Sequence, residues 1–227
     1  MIATDDQIRP SEFQEADGLA DWRVIGEGAV IHFPVGSLAE AARLVARISE
    51  IPGVDEHPPA IDLRRGGVTI RLITIRDDYA GQTQRDATVA RQISEIGREM
   101  GLTPDPAAVH SLLIIPGAPD PKAVMPFWRA ALGYEPRPDS PEEDLVDPFD
   151  RTTPLWFEAM EEPRGDGGGA IHIAIWLPPE LAEARVKAAL DAGGRMVRDE
   201  FAPSWWTLAD AAGNEIDISS IQGREFE

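Results

Sequence analysis

Glu56 and His57 stand side by side. A carboxylate beside an imidazole can divide acid and base work near neutral pH: imidazole holds and releases a proton there, and the carboxylate favours its charged form. A plainer use of His57, capping the start of a strand, is also open. A second group is aromatic: Trp156, Phe157, Trp176, Trp205 and Trp206. Indole rings offer large flat area and an N–H that wants a partner. Sheet core is the ordinary use of each, and strand alternation puts Trp205 and Trp206 on opposite faces, so at most one of them faces a cleft. There is no cysteine, which excludes disulfides, thiolate metal sites and cysteine nucleophiles.

These groups are spread over 227 residues, more than one modest domain needs, which predicts two domains of roughly 100–120 residues. Each can bury a core without staples. The net charge of −19 is shared by both halves, and neither has a basic cluster. Binding nucleic acid needs lysine and arginine to displace counterions, so that partner is excluded; the charge itself reads as solubility. No stretch approaches the roughly 20 apolar residues that span a bilayer, and the polar, acidic run Met1 to Pro10 is wrong for a secretory signal. No membrane partner and a cytoplasmic location are the expectations.

The segment Gly101 to Pro106 follows a periodic helix and holds two prolines that cannot continue one. It marks the expected boundary, with domains at 1–104 and 105–227. Before it, a helix near Ser11 to Ala16 precedes a hairpin, Trp22 to Ile25 and Ala29 to Phe33, turning at Gly26-Glu27-Gly28. Ser37 to Glu40 has the form of a capping box, opening a helix with Leu38, Ala41, Ala42, Val45 and Ile48 on one face. Ile61 to Arg64 and Val68 to Ile75 flank a Gly66-Gly67 turn, and Thr83 and Asp86 open a last helix with apolar Val89, Ile93, Ile96 and Met100. The fold class this predicts is α+β, one antiparallel sheet covered by helices on a single face. Beyond the boundary the pattern repeats. His110 to Ile115, a helix from Asp120 to Leu132 and Gly133-Tyr134 match Ile171 to Leu177, a helix from Glu180 to Ala192 and Gly193-Gly194. Strand candidates follow each, which predicts a duplicated βαβββ unit around a cleft, with the glycine run 165–169 as a surface loop.

From Phe13 to Met100 the sequence resembles the pterin-4a-carbinolamine dehydratases. Leu19, Trp22, Phe33, Glu56-His57-Pro58, the strand ending in Thr74 and Gly81-Gln82-Thr83-Gln84-Arg85-Asp86 carry the resemblance. It implies loss of water from a 4a-hydroxytetrahydropterin, with His57 and Glu56 as acid and base, Thr74 and Asp86 in support, and Pro58 in the ligand site. Glu56 stands where the family has its first histidine, and Ile75 where it has a later one. That leaves His57 the obvious acid and predicts weak activity that depends on His57 more than on Glu56.

From Val109 to Ser219 the sequence resembles the vicinal-oxygen-chelate superfamily of glyoxalases, extradiol dioxygenases and bleomycin-resistance proteins. The carriers are 127–134 (Phe-Trp-Arg-Ala-Ala-Leu-Gly-Tyr), the strand from His172, and 208–215 (Leu-Ala-Asp-Ala-Ala-Gly-Asn-Glu). The resemblance implies metal ligands at His172 and Asp217, but it places Leu113 at the first-strand position. His110, three residues away, would turn to the opposite face. The expectation is no metal and no other cofactor; if a metal is present, it rests on His172, Asp217 and His110. What remains is a cleft for a planar heterocycle, with Trp156, Trp176, Trp206, His172 and Asp217 as ligand-binding residues. The leading function is a weak dehydratase-type lyase carrying a small-ligand domain. The alternatives are a non-catalytic binding protein for a planar molecule or antibiotic, and a metal-dependent glyoxalase or dioxygenase. The apolar face of the last helix before Gly101 predicts a homodimer.

Overall fold

The computed structural model describes residues 6–26, 28–76, 79–159, 171–209 and 215–223. Backbone contacts divide the chain into two units, one of residues 1–74 and 80–110 and the other of residues 75–79 and 111–223. The architecture is mixed α+β with antiparallel sheets. Among the described residues, no helix is long and apolar enough to cross a membrane.

The chain opens with β1 (Gln7–Ile8), α1 (Pro10–Glu15), β2 (Arg23–Val24), β3 (Ala29–Pro34) and α2 (Leu38–Ser49). Then come β4 (Ala60–Arg64), β5 (Gly67–Leu72), β6 (Thr74–Arg76), β7 (Tyr79–Thr83) and α3 (Gln84–Glu99). Four strands form an antiparallel sheet in the order β2-β3-β5-β4. Its register sets Ile31 opposite Ile70 and Phe33 opposite Val68, with Ile61 opposite Ile70 on the other side. Directly opposed residues share a face, and on this face Ile31, Phe33, Val68, Ile70 and Leu72 are buried, whereas His32, Thr69 and Arg71 between them are partly exposed. The helices supply the other half of the core through Phe13, Leu44, Ile48, Ala90 and Ile93, each large side chain contributing about 1.5–3 kcal/mol by burial. Helix α3 comes close because Gly97 has no side chain: a Cβ there would lie 2.5 Å from Cε1 of Phe33. Buried Trp22 donates its indole N–H to Ser94 Oγ at 3.0 Å.

Three local expectations need correction. The strand predicted from Val68 to Ile75 is broken at Ile73: β5 ends at Leu72, and β6 belongs to a separate sheet of order β1-β7-β6. Leu72 is paired with Ala29, the first residue of β3, so β5 ends where its partner strand begins; the Leu72 carbonyl lies 2.5 Å from where a Cβ on Gly28 would be. The β4–β5 turn is Arg65-Gly66 rather than Gly66-Gly67, because Gly67 is already paired with Arg64 and a Cβ on it would strike the His32 ring at 2.5 Å. At the start of α2, Ser37 Oγ accepts from Glu40 N at 3.1 Å, but Glu40 reaches one residue further back, to Gly36 N at 2.7 Å, so the capping box is not reciprocal. Glu27, in the predicted turn between β2 and β3, lies outside the described residues. On the helix face that motivated the homodimer, Val89, Ile93 and Ile96 are buried in the first unit.

The second unit continues with β8 (Ser111–Ala118), α4 (Pro121–Leu132), β9 (Glu135–Pro136), β10 (Asp144–Val146), β11 (Leu155–Trp156) and β12 (Glu158–Ala159). After these come β13 (Ile171–Trp176), α5 (Pro179–Asp191), β14 (Arg195–Arg198), β15 (Trp205–Ala209) and β16 (Glu215–Ser219). Pro121 and Pro179 each open a helix, where a missing N–H costs nothing, and Gly133 ends α4 in the left-handed conformation at φ 70°. The strand order is β14-β15-β16-β13-β8-β11-β10-β9, with β12 also paired to β8. Strands β8 and β13 run antiparallel at the centre. Outward from each, the next strand is parallel, β11 from β8 and β16 from β13, and β12 continues the parallel pairing with β8. The predicted loop 165–169 lies outside the described residues.

Helices α4 and α5 cover one face of this sheet. Met125 on α4 packs with Leu145, Leu155 and Ile114, and Ala182 and Val186 on α5 pack with Trp206, Leu208 and Ile218. By register, Leu113, Ala174, Asp217 and Thr207 form a row on the opposite face. Ser111, Trp176, Ser219 and Trp205 form the next row on that same face.

Candidate functional site

The first site is built on the 3-10 turn Val54–Glu56 and the first turn of α3. His57 closes the 3-10 turn, donating its backbone N–H to the Val54 carbonyl at 3.1 Å. Its Nε2 meets Asp86 Oδ1 at 2.6 Å. Asp86 is fully buried, and its other oxygen accepts from Thr83 N, Thr83 Oγ1 and Thr74 Oγ1, each at 2.8 Å. Thr83 is the N-cap of α3 and accepts in turn from Asp86 N at 3.3 Å, so a local capping box holds the carboxylate in place. Burial alone would raise the pKa of Asp86. The hydrogen bonds from His57, Thr83 and Thr74 outweigh it and hold the carboxyl below the ordinary aspartate value.

An ionised carboxylate only accepts hydrogen bonds, so Nε2 of His57 carries the proton facing Asp86. In the neutral ring Nδ1 is then the basic atom. His57 keeps 20% of its side chain exposed, which leaves the imidazole within reach of a ligand. Thr74 Oγ1, at 3.3 Å from the same Nε2, completes a cluster drawn from the 3-10 turn, β6 and α3. Of the sequence candidates, His57, Asp86 and Thr74 are therefore in one place. Glu56 points elsewhere: its carboxylate is 71% exposed and lies 3.2 Å from Arg85 Nη2. Pro58 is exposed beside them, and Ile75 lies on β6 with 36% exposure.

In the second unit, alternation groups the candidates by face. Trp156, Trp176 and Asp217 share the face away from the helices, and His172 holds a position on β13 that belongs to it by register, opposite Ile115. Trp156 and Trp176 meet edge to face at 6.5 Å. Among the described residues, the buried indole N–H of Trp156 has no hydrogen-bond partner, and the Arg137 guanidinium stands 5.7 Å above its ring. Asp217 Oδ1 accepts from Thr207 Oγ1 at 2.6 Å. Trp206 falls on the other face, in the core under α5. Its neighbour Trp205 takes the place foreseen for it and stacks on Phe201 at 4.2 Å. Alternation shows that only one of the two can lie on the face away from the helices; which one depends on the phase of β15, which its pairing with β16 sets.

Leu113 is the β8 member of the row that holds Asp217. His110 is exposed and precedes β8. Among the described residues, no three His, Cys, Asp or Glu side chains come together as a metal group would need.

Comparison with known proteins follows the same division. The N-terminal part is 30% identical over 96 residues to a Thermomicrobium roseum protein named "Putative pterin-4-alpha-carbinolamine dehydratase", covering 42% of this chain and 98% of that one. This part of the chain belongs to the pterin-4-alpha-carbinolamine dehydratase family. Within the dehydratase-family part, the His57–Asp86–Thr74 cluster falls on the motif residues that suggested it. Residues 113–219 match the family described as a glyoxalase-like domain. A solved structure, an NAD-dependent benzaldehyde dehydrogenase from Legionella pneumophila, aligns at a TM-score of 0.35 and 15% identity over 48% of this chain and 97% of that one. A likeness that slight bears on neither fold nor function.

Arg85 and Thr83 are functional candidates that sequence reasoning missed, although both lie inside the motif that carried Asp86. Their signal was position: residues in the first turn of a helix beside a buried carboxylate are well placed to serve it.

Proposed function

We propose that the first unit is a weak hydro-lyase of the 4a-hydroxytetrahydropterin dehydratase type. The observation that supports it is the buried Asp86 carboxylate holding His57 through Nε2. Water loss needs a base for the ring N–H proton and an acid for the departing hydroxyl. With Nε2–H given to Asp86, His57 Nδ1 takes the ring proton; the C–O bond breaks, and the imidazolium returns that proton to the leaving oxygen as water. Asp86 stabilises the cation formed in between. One imidazole thus serves both steps, and the second imidazole, whose place Ile75 takes, would be missed for rate. The test is formation of quinonoid dihydropterin from 4a-hydroxytetrahydropterin by wild type and His57→Ala. Loss of about 10²–10⁴-fold in the variant supports the reading; turnover equal to wild type overturns it.

The glyoxalase-like part is read as a holder of a planar heterocycle against the edge-to-face pair Trp156 and Trp176, with His172 and Asp217 as polar fixings. The unpartnered buried N–H of Trp156 favours this, since a ligand acceptor would satisfy it. Quenching of tryptophan fluorescence by pterins, reduced in Trp156→Phe, is the expected result. A chain that binds a planar molecule without turnover is the second reading, favoured by the exposure of Glu56 and its pairing with Arg85. The strand orders β8-β11-β10-β9 and β13-β16-β15-β14 accord with a duplicated βαβββ unit. No cofactor is assigned to either unit.

A further inference from the structure

We propose that Arg85 is a positioning residue for His57. The inference rests on the dehydratase reading for its catalytic consequence, though not for its geometry. Arg85 lies on the first turn of α3, one residue before Asp86. Its Nη2 donates to the Gly53 carbonyl at 2.9 Å and to Glu56 Oε2 at 3.2 Å. Those acceptors bracket the 3-10 turn Val54–Glu56, whose next residue is His57. Two adjacent residues of one helix turn therefore act on the same short segment. Arg85 grips the turn that carries the imidazole, and Asp86 grips the imidazole itself.

The turn needs such a grip. Gly53 enters it at φ 78°, in the left-handed region open chiefly to glycine, and glycine is the residue that loses most freedom when fixed. His57 leaves it at φ −154° and ψ 68°, outside regular structure. A small rotation of this segment would carry Nε2 away from Oδ1, because the 2.6 Å contact tolerates little error. Glu56 then works through Arg85, as the anionic end of the clamp, whatever proton traffic it also carries.

The Arg85–Glu56 pair is solvent-exposed, and exposed pairs contribute little to global stability. The clamp should show locally rather than in overall unfolding. The experiment uses the full chain with ¹⁵N-labelled histidine. In wild type, the His57 Nε2 proton held by Asp86 should give a downfield, slowly exchanging resonance. In Arg85→Ala its exchange should quicken about tenfold or the signal should vanish, while Arg85→Lys, which keeps a donor toward the turn, should restore much of it. In the dehydratase assay, Arg85→Ala should lower kcat about three- to tenfold with KM little changed. An unaltered resonance and exchange rate in a folded Arg85→Ala protein overturns the proposal. If that variant does not fold, Arg85→Gln, which retains an N–H for one acceptor only, takes its place, with the same wild-type signature counting against the idea. A changed signature in a protein whose wild type shows no turnover upholds the clamp and sinks the dehydratase reading instead.

Discussion

Trp205 and Trp206 are consecutive in sequence and serve opposite sides of one sheet. Trp205 is in register with Ser219 and stacks on Phe201, while Trp206 is in register with Ile218 and buried under α5. Trp206→Ala should therefore destabilise the second unit by about 3–5 kcal/mol, the usual cost of emptying a core position. Trp205→Ala should cost markedly less in the same denaturant titration and should instead weaken binding of a planar ligand. Equal losses from the two variants would contradict the assignment of faces.

Asp86 gives stability a pH dependence of known sign. Its carboxyl is held below the ordinary aspartate pKa in the folded protein. A depressed folded pKa adds stability above the unfolded value, near 3.9, and that stability is lost as pH falls from there through the folded pKa. Unfolding free energy of wild type should fall in acid below about pH 4, and Asp86→Asn should flatten this part of the profile. The substitution should also cost about 3 kcal/mol at pH 7, since it leaves the donors of His57, Thr74 and Thr83 poorly met in a buried site. A wild-type profile that Asp86→Asn leaves unchanged between pH 2 and 5 would refute the linkage.

Gly97 is a packing glycine. With a Cβ 2.5 Å from the Phe33 ring, Gly97→Ala must push α3 off the sheet or turn the fully buried Phe33 from its rotamer. Overpacking of this kind costs about 1–3 kcal/mol, whereas in an exposed helix interior the same change would gain about 1 kcal/mol from propensity. Thermal unfolding decides between the signs: a higher midpoint for the variant would mean the close approach is not real.

Much of this was legible in the sequence because burial leaves a period. Val89, Ile93 and Ile96 recur at helical spacing, and alternation in Val68, Ile70 and Leu72 marked a half-covered strand. The same signal could not say what covers an apolar face: on α3, Val89, Ile93 and Ile96 are buried within the first unit. Nor could it see the break at Ile73, since β-branched residues continue past it; β5 ends where its partner β3 begins, at Ala29 opposite Leu72, a pairing between distant parts of the chain. At the site, His57, Asp86 and Thr74 were found through motif resemblance. The pairing of Glu56 with Arg85 was not found, because nothing in adjacent residues fixes which way a side chain on a 3-10 turn will point.

Metal content provides the last test. The row Leu113, Ala174, Asp217, Thr207 runs across four strands on the face away from the helices. Only Asp217 in it has the charge to bind a divalent ion, and its Oδ1 already accepts from Thr207 at 2.6 Å. Catalytic sites of this kind use about three protein ligands. His172 belongs to the same face by register and would bring the total to two. His110 precedes β8 and is exposed, so no strand position aims it at this row. Two ligands give weak, exchangeable binding, and the expected outcome is protein that carries Fe, Zn, Mn or Ni well below one equivalent after dialysis. Elemental analysis of the purified chain checks this. About one equivalent per chain, lost on His172→Ala, would mean that another residue completes the site and that the glyoxalase-like part does metal chemistry after all.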